Sequence, residues 1–264
     1  MNLQLPKSIA DLCRAYTDGL KRTLGDKLHA LYVYGASVFP ETEATGDVDS
    51  HVILAGPLTG SEKVAVLELH KRMAAEYPPL GAELDAYYLL LEQVKRSALP
   101  THQLQTDIVD GSWALHRAHM LAGRCVVLHG PDPSTIFPVP TWPEIEQALA
   151  GELAYVVQHI DQYPDYCILN LCRLMYSHRT GDVVTSKAAA GAWASAQFPQ
   201  WRSLIELANQ SYAGLSTDED RRIMSTELKK LLSYARQQMV EAMSSKESAT
   251  QDWEGSAGDG SPTS

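Results

Sequence analysis

Two aspartates stand two residues apart at the start of an apolar segment. Asp47 and Asp49 flank Val48 and are followed by the run 51–54. On a β-strand alternate side chains point to the same face, so the spacing predicts two carboxylates on one face, with Cα atoms about 7 Å apart. Carboxylates this close repel each other, and a bound cation relieves the repulsion. Mg²⁺ is the expected ion, because it prefers carboxylate and phosphate oxygens.

A third carboxylate is expected on a neighbouring strand. Glu83 and Asp85 stand at the start of the apolar run 86–91, and an earlier apolar run, 28–34, leads into a turn at Gly35. An Asp-x-Asp pair by itself is common at solvated strand ends. The order of elements gives it weight here: a strand, a glycine turn, the Asp-x-Asp strand, a helix, and a strand that carries a carboxylate.

Hydrophobic periodicity predicts the elements that position these residues. Helical spacing indicates helices over 6–24, 61–77 and 107–122, with Ser61 as the N-cap of the second, and strands over 28–34, 81–90 and 124–128. The Pro-Val-Pro-Thr segment 138–141 is the predicted linker. Helical segments are then expected over 142–160, 164–178, 186–197, 200–212 and 217–243.

The sequence therefore predicts an α+β fold in two domains and a tail. Residues 1–141 form a mixed β-sheet with helices, and residues 142–243 form an all-α helical bundle. Residues 244–264 are rich in Ser, Gly, Glu and Asp, a composition that predicts disorder.

Bulk properties narrow the classes of function. The net charge of −10 over 264 residues disfavours general binding to nucleic acid, whose phosphates require a basic face, and is compatible with a cationic substrate. No run approaches the roughly 20 apolar residues that span a bilayer, and the first residues do not resemble a signal peptide. The four cysteines are expected to be free thiols in a reducing compartment. We expect a cytoplasmic monomer that binds neither membrane nor nucleic acid.

The order of these features resembles the polymerase-beta-like nucleotidyltransferases, and the chain as a whole resembles the aminoglycoside adenylyltransferases that modify streptomycin and spectinomycin. The spacing from Gly35 to Asp47 and Asp49 matches that family's pattern. Its Arg-Ile-Trp-Tyr-Ser, Thr-Gly, Lys, Asp-Trp-Ala and Ala-Tyr-Leu-Gly segments correspond here to 173–177 (Arg-Leu-Met-Tyr-Ser), Thr180-Gly181, Lys187, 192–194 (Ala-Trp-Ala) and 211–214 (Ser-Tyr-Ala-Gly). The resemblance covers roughly residues 28–240.

The resemblance implies a nucleotidyltransferase domain, a helical domain and an active site in the cleft between them. It implies transfer of AMP from ATP to a hydroxyl of a small cationic acceptor, an aminoglycoside or aminocyclitol, which confers antibiotic resistance. Asp47, Asp49 and Asp85 are the implied ligands of two Mg²⁺ ions. Asp85 also stands where the family has a glutamate that acts as general base, and Glu83 remains an alternative base.

Further residues are implied for the nucleotide and the acceptor. Nucleotide contacts are implied for Gly35, Ser37, Arg173, Lys187 and Tyr212, and acceptor contacts are considered for Glu83, Asp161 and Asp165. The turn departs from the family: its Gly-Ser pair reads Gly35-Ala36 here, with Ser37 as the next hydroxyl, and Gly46 replaces a serine. Each lost hydroxyl would weaken nucleotide binding by about 1 kcal/mol per hydrogen bond.

The sequence is also compatible with other functions and with a different metal site. The altered turn is compatible with a non-catalytic binder of a nucleotide or small molecule, or with another small acceptor. The Arg-x4-His spacing of Arg173 and His178 also resembles helical ribonuclease toxins, although the acidic charge disfavours RNA. A zinc site is a further alternative, with the ligands His116, His119, Cys125 and His129.

Overall fold

A four-stranded mixed sheet forms the centre of the N-terminal part of the protein. The computed structural model describes residues 5–39 and 47–256, with side chains up to residue 244. The strands are β1 (Leu28–Tyr34), β2 (Val48–Leu54), β3 (Leu84–Leu90) and β4 (Val126–His129), in the order β3-β2-β1-β4. β1 runs antiparallel to β2 and β4, and β2 runs parallel to β3.

Each face of the sheet has its own core. On one face lie α1 (Lys7–Leu24) and α2 (Gly60–Glu76), and Leu12, Val52 and Leu69 are among its buried residues. The other face is covered by α4 (Trp113–Leu121), which follows the short helix α3 (Leu91–Val94), and its core includes Trp113, Ile53 and Leu89. Since side chains alternate along a strand, Asp49 and Asp85 lie on this second face, because each stands four residues before Ile53 or Leu89.

Helices make up the rest of the described chain. They are α5 (Trp142–His159), α6 (Pro164–Thr180), α7 (Lys187–Gln197), α8 (Arg202–Tyr212) and α9 (Asp218–Ser256). α6 packs against α7, α8 and α9. Its buried residues include Ile168, Leu171, Cys172 and Met175, which recur at the spacing of one helical face. The predicted α+β class is thus confirmed.

The chain forms two compact units, residues 1–151 and 152–264, and the boundary between them lies within α5. The first turn of α5 is anchored in the first unit, because Glu144 pairs with the buried Arg117 of α4 and accepts a hydrogen bond from the backbone N–H of Thr141 at 2.8 Å. The predicted linker 138–141 therefore leads into a helix that begins in one unit and ends in the other. The boundary at 141 stays a prediction.

Most predicted elements are present, and their ends show where local patterns mislead. The N-cap of α2 is Thr59 and not Ser61, because Thr59 and Glu62 form a reciprocal capping box. α4 begins at Trp113 and not near residue 107, since the backbone N–H of Asp110 donates to Pro100 O at 3.0 Å in an irregular segment. β3 begins at Leu84, after a turn over residues 81–83.

The end of the chain differs from the expected disordered tail. α9 continues past residue 244 to Ser256, and residues 257–264 lie outside the described residues. Lys, Glu, Ala and Gln occur in the segment 246–251 and are good helix formers, so composition alone did not distinguish a tail from a helix. The four cysteines are free, as predicted. Within the described residues, no helix combines the length and the apolar character that crossing a membrane requires.

Candidate active site

Parallel pairing of β2 and β3 brings two predicted carboxylates together. Asp49 and Asp85 are register partners on neighbouring strands, which in a sheet lie about 4.8 Å apart, and their side chains share one face. Tyr34 is the partner of Asp49 on the opposite side, in β1. Burial raises the pKa of Tyr34 well above its ordinary value, and the charges of Asp49 and Asp85 raise it further. The tyrosine therefore lies within the field of both carboxylates.

Asp47 and Glu83 lie just outside these strands. Each immediately precedes its strand, and the backbone N–H of Val48 donates to Glu83 O at 2.9 Å. The expectation that Asp47 and Asp49 share one strand, and Glu83 and Asp85 another, is therefore wrong in this detail. Asp47 nevertheless acts on the same site. Asp85 keeps solvent-exposed surface, but the protein around its carboxyl group removes part of the solvation, and this raises its pKa first. The negative charge of Asp47 raises the pKa further.

The turn after β1 closes tightly on Asp49. Gly35 has a φ of +74°, and a Cβ added there would lie 1.8 Å from Oδ2 of Asp49. Glycine is therefore required both by the backbone conformation and by this approach. Ser37 lies in the same 3₁₀ turn, Gly35–Val38, and its hydroxyl donates to Tyr34 O at 3.2 Å. Gly46 lies outside the described residues.

A group that the sequence reasoning missed adjoins the carboxylates. Asp110 is buried, and its Oδ2 lies 2.9 Å from Nδ1 of His116 and 3.3 Å from Nε2 of His51. Burial raises the pKa of Asp110, but His116 and His51 outweigh it, so the pKa lies below its ordinary value. A signal for His51 was available, because it follows Asp49 by two residues and shares its face of the strand. Asp110 lies in an irregular segment whose pattern gave no such signal.

The zinc set considered from the sequence does not assemble. The ring of His119 packs edge-on against Phe39, and Sγ of Cys125 donates to Met120 O at 3.7 Å. Among the residues that the structure describes, one group of three potential metal ligands is close enough to hold an ion, and it is made up of His51, Asp110 and His116.

In the second unit, two of the three predicted nucleotide residues meet. Nζ of Lys187, the first residue of α7, donates to the hydroxyl of Tyr212 at 2.8 Å. The same ammonium lies over two aromatic rings, 4.2 Å from the centroid of Tyr166 and 4.6 Å from that of Tyr212. Asp165 accepts a hydrogen bond from Ser211 at 2.7 Å and so joins α6 to α8 beside this group. The helices hold a cation at the edge of an aromatic cluster.

Arg173 and Asp161 stand in different surroundings. Arg173, on α6, is partly buried, and its charge opposes the burial that raises the pKa of Tyr166, so it acts on the same aromatic group as Lys187. Asp161 lies in an exposed ion pair with Lys229 of α9, at 3.8 Å. Of the two acidic residues predicted to face the acceptor in this unit, Asp165 therefore adjoins the Lys187 group and Asp161 pairs elsewhere.

Comparison with known proteins agrees with both the fold and the sequence motifs. Residues 136–251 match the sequence model of the C-terminal domain of aminoglycoside adenylyltransferases. The chain is 23% identical over 240 residues to spectinomycin 9-adenylyltransferases of Staphylococcus aureus, including those of strains Mu50 and N315, and the match covers 81% of this chain and 89% of each relative.

A solved structure shares the fold. It is the spectinomycin adenyltransferase of Enterococcus faecialis, crystallised with ATP and spectinomycin. The TM-score is 0.67 at 17% sequence identity, and the superposition covers 85% of this chain and 99% of the other. The match of residues 136–251 identifies this part of the chain as a C-terminal domain of the aminoglycoside adenylyltransferase type, and the solved structure shows that the chain as a whole shares the fold.

Proposed function

We propose that the protein transfers AMP from ATP to a hydroxyl of an aminoglycoside or aminocyclitol and so confers resistance to that antibiotic. The observation that carries the proposal is the register of β2 and β3, which pairs Asp49 with Asp85 while Asp47 acts electrostatically on Asp85. Carboxylates placed on neighbouring strands in this way suit a metal-dependent phosphoryl transfer.

The donor set suits Mg²⁺ by chemical type, although the oxygens of these three carboxylates do not all lie within 4.8 Å of one another in this structure. Asp47, Asp49 and Asp85 offer only carboxylate oxygens, the ligands that this ion prefers. After desolvation, the negative charge of Asp47 is the next cause that raises the pKa of Asp85, and a cation would relieve this repulsion. When bound, a pair of such ions stabilises the charge on the attacking and leaving oxygens of an in-line displacement. We propose these three residues as its ligands in the protein.

Asp85 is the proposed general base. It accepts the proton of the acceptor hydroxyl as that oxygen attacks the α-phosphorus of ATP, and pyrophosphate leaves. Desolvation is the largest of the causes that raise its pKa, and a raised pKa makes the carboxylate a stronger base than an isolated aspartate. Glu83, at the same edge, is proposed to attract the cationic acceptor.

Two groups of residues are proposed to bind the nucleotide. Lys187 and Arg173 supply positive charge for the phosphates, and Tyr212 contributes a ring and a hydroxyl. Their arrangement supports this, because the hydrogen bond from Lys187 to Tyr212 holds the ammonium in place before a ligand arrives, which lowers the entropic cost of binding. At the turn, Gly35 and Ser37 are proposed to face the phosphates. Asp165 and Asp161 are proposed to attract the acceptor.

The relatives point to the first acceptor to test. Their names specify spectinomycin, so we propose spectinomycin as the preferred acceptor and streptomycin as the second. The experiment incubates the protein with each drug, ATP and Mg²⁺ and measures the mass of the drug. A gain of one AMP unit is expected, and it should disappear in Asp49→Asn. Asp26→Asn, which changes a carboxylate in the Gly25–Lys27 turn, is the matched control and should retain transfer.

Two other results would overturn the proposal. Transfer that survives in Asp49→Asn would show that the reaction does not need the carboxylate of Asp49. ATP binding without transfer to any aminoglycoside or aminocyclitol would favour a different acceptor or a non-catalytic nucleotide binder.

A further inference from the structure

We propose that His51, Asp110 and His116 form a binding site for a transition-metal ion of the zinc class, separate from the Mg²⁺ carboxylates. Each residue offers one ligand atom, and all three atoms lie within 4.8 Å of one another. Oδ2 of Asp110 is 2.9 Å from Nδ1 of His116 and 3.3 Å from Nε2 of His51. A tetrahedral zinc ion with bonds of about 2.0–2.1 Å separates its ligand atoms by roughly 3.3 Å, so both distances to Asp110 are close to those of a zinc site.

His51 supplies an independent observation. Its side chain is fully buried, and neither ring nitrogen has a hydrogen-bond partner among the described residues. Nε2 is near Asp110 but is not aligned for a hydrogen bond. Buried polar atoms without partners are rare and cost stability. An ion between His51 and Asp110 would give the imidazole the partner that the protein does not provide.

The charge of the group points the same way. Asp110 is 1% exposed, and a carboxylate buried to this degree needs a compensating positive charge. Either a proton on His116 or a metal ion provides it. Two imidazole nitrogens and one carboxylate oxygen form a donor set that suits zinc and related ions, whereas Mg²⁺ prefers oxygen ligands alone. The site therefore differs in metal selectivity from the proposed Mg²⁺ ligands Asp47, Asp49 and Asp85.

The position of the site indicates a structural role. His51 lies on β2, Asp110 in the irregular segment before α4, and His116 on α4. The ring of His51 stacks on Tyr34 with centroids 4.5 Å apart and meets Trp113 edge-on at 5.7 Å. An ion held by these three ligands ties α4 to the strand that carries Asp49, two residues behind that carboxylate.

The test measures metal content without ATP or antibiotic, so its result does not depend on the proposed function. The protein is stripped with a chelator, equilibrated with Zn²⁺, freed of excess ion by gel filtration and analysed by elemental mass spectrometry. We expect one zinc per chain, a higher melting temperature than the stripped protein, and no displacement by excess Mg²⁺. His116→Gln and His51→Gln should each lose the bound zinc. His116 is 23% exposed, so its variant keeps the test sound if the buried His51→Gln fails to fold.

His119→Gln is the matched control, because His119 lies one helical turn from His116 on α4. It should retain one zinc per chain. The proposal is overturned if the wild-type protein holds no zinc, or if His116→Gln retains the full equivalent. It is also overturned if His119→Gln abolishes binding, which would assign the metal to the His116-x-x-His119 pair. A proton shared between His116 and Asp110 would then account for the buried charge.

Discussion

Replacing Gly35 with alanine tests whether the close approach of the turn to Asp49 is needed for transfer. The added Cβ would lie 1.8 Å from Oδ2 of Asp49, and Cβ atoms essentially never come within 3.0 Å of another heavy atom. The carboxylate must therefore move by about 1.2 Å, the difference between 3.0 and 1.8 Å. Because Asp49 is a proposed metal ligand, this displacement falls on the reacting geometry.

The size of the effect follows from that displacement. A misplacement of about 1 Å costs roughly 100-fold in rate, which corresponds to about 2.7 kcal/mol of transition-state stabilisation. The positive φ of Gly35 adds about 1–2 kcal/mol of destabilisation for a residue with a side chain. Gly123 isolates this second contribution, since its φ of +78° is nearly the same as the +74° of Gly35 and nothing lies within 4 Å of a Cβ added there.

The assay compares kcat for AMP transfer and the free energy of unfolding in urea for the two variants. Both should lose similar stability, and only Gly35→Ala should lose about 100-fold in kcat. Equal kcat values for Gly35→Ala and Gly123→Ala would refute the reasoning, because they would show that the contact with Asp49 does not position a reacting group.

Three further predictions concern single residues. Asp85→Asn should lower kcat by about 10²–10⁴-fold, the range for a general base, whereas Glu83→Gln should mainly raise KM for the cationic acceptor; steady-state kinetics that show the reverse would make Glu83 the base. Lys187→Met should weaken ATP binding in calorimetry by about tenfold or more, since a charged hydrogen bond contributes about 1.5–3 kcal/mol, and an unchanged affinity would exclude it from the nucleotide site. Burial raises the pKa of Glu144, but hydrogen bonds at the helix start and Arg117 hold it at about 2. A lowered pKa contributes stability above the ordinary value of 4.5, and this stability is lost as the pH falls towards 2. Glu144→Gln should therefore lower the free energy of unfolding in urea by about 1–3 kcal/mol at pH 7 and make it less dependent on pH between 4.5 and 2. Parallel pH profiles for the variant and the wild-type protein would contradict this.

Local pattern was sufficient for much of the fold. The run Leu28–Tyr34 is β1 with the predicted ends, and the helical spacing of Ile9, Leu12 and Tyr16 marks the buried face of α1. These features depend on neighbours within a few residues, and periodicity reports them directly. The order of strands and helices, together with the second-half motifs, also led to the family whose C-terminal domain matches residues 136–251.

Strand and helix ends depended on partners distant in sequence. The local sequence pattern places Asp47 and Glu83 at the starts of their strands. Each nevertheless lies just before its strand, because pairing between β2 and β3 begins at Val48 and Leu84. The predicted start of α4, at residue 107, is six residues too early for the same reason, because α4 begins at Trp113. The segment before it bonds to the chain near Pro100 instead of continuing a helix.

The sequence by itself determined the types of chemical group and the order in which they occur: the Asp-x-Asp pair, the glycine turn, a later carboxylate, and Lys187 and Tyr212 on helices. Only the tertiary structure decided which groups meet. The strand register sets Asp49 beside Asp85, and packing of α4 on the sheet brings His51 to Asp110 and His116. Such contacts join segments far apart along the chain, where register and packing are chosen by burial across the whole core and not by the residues adjacent in sequence.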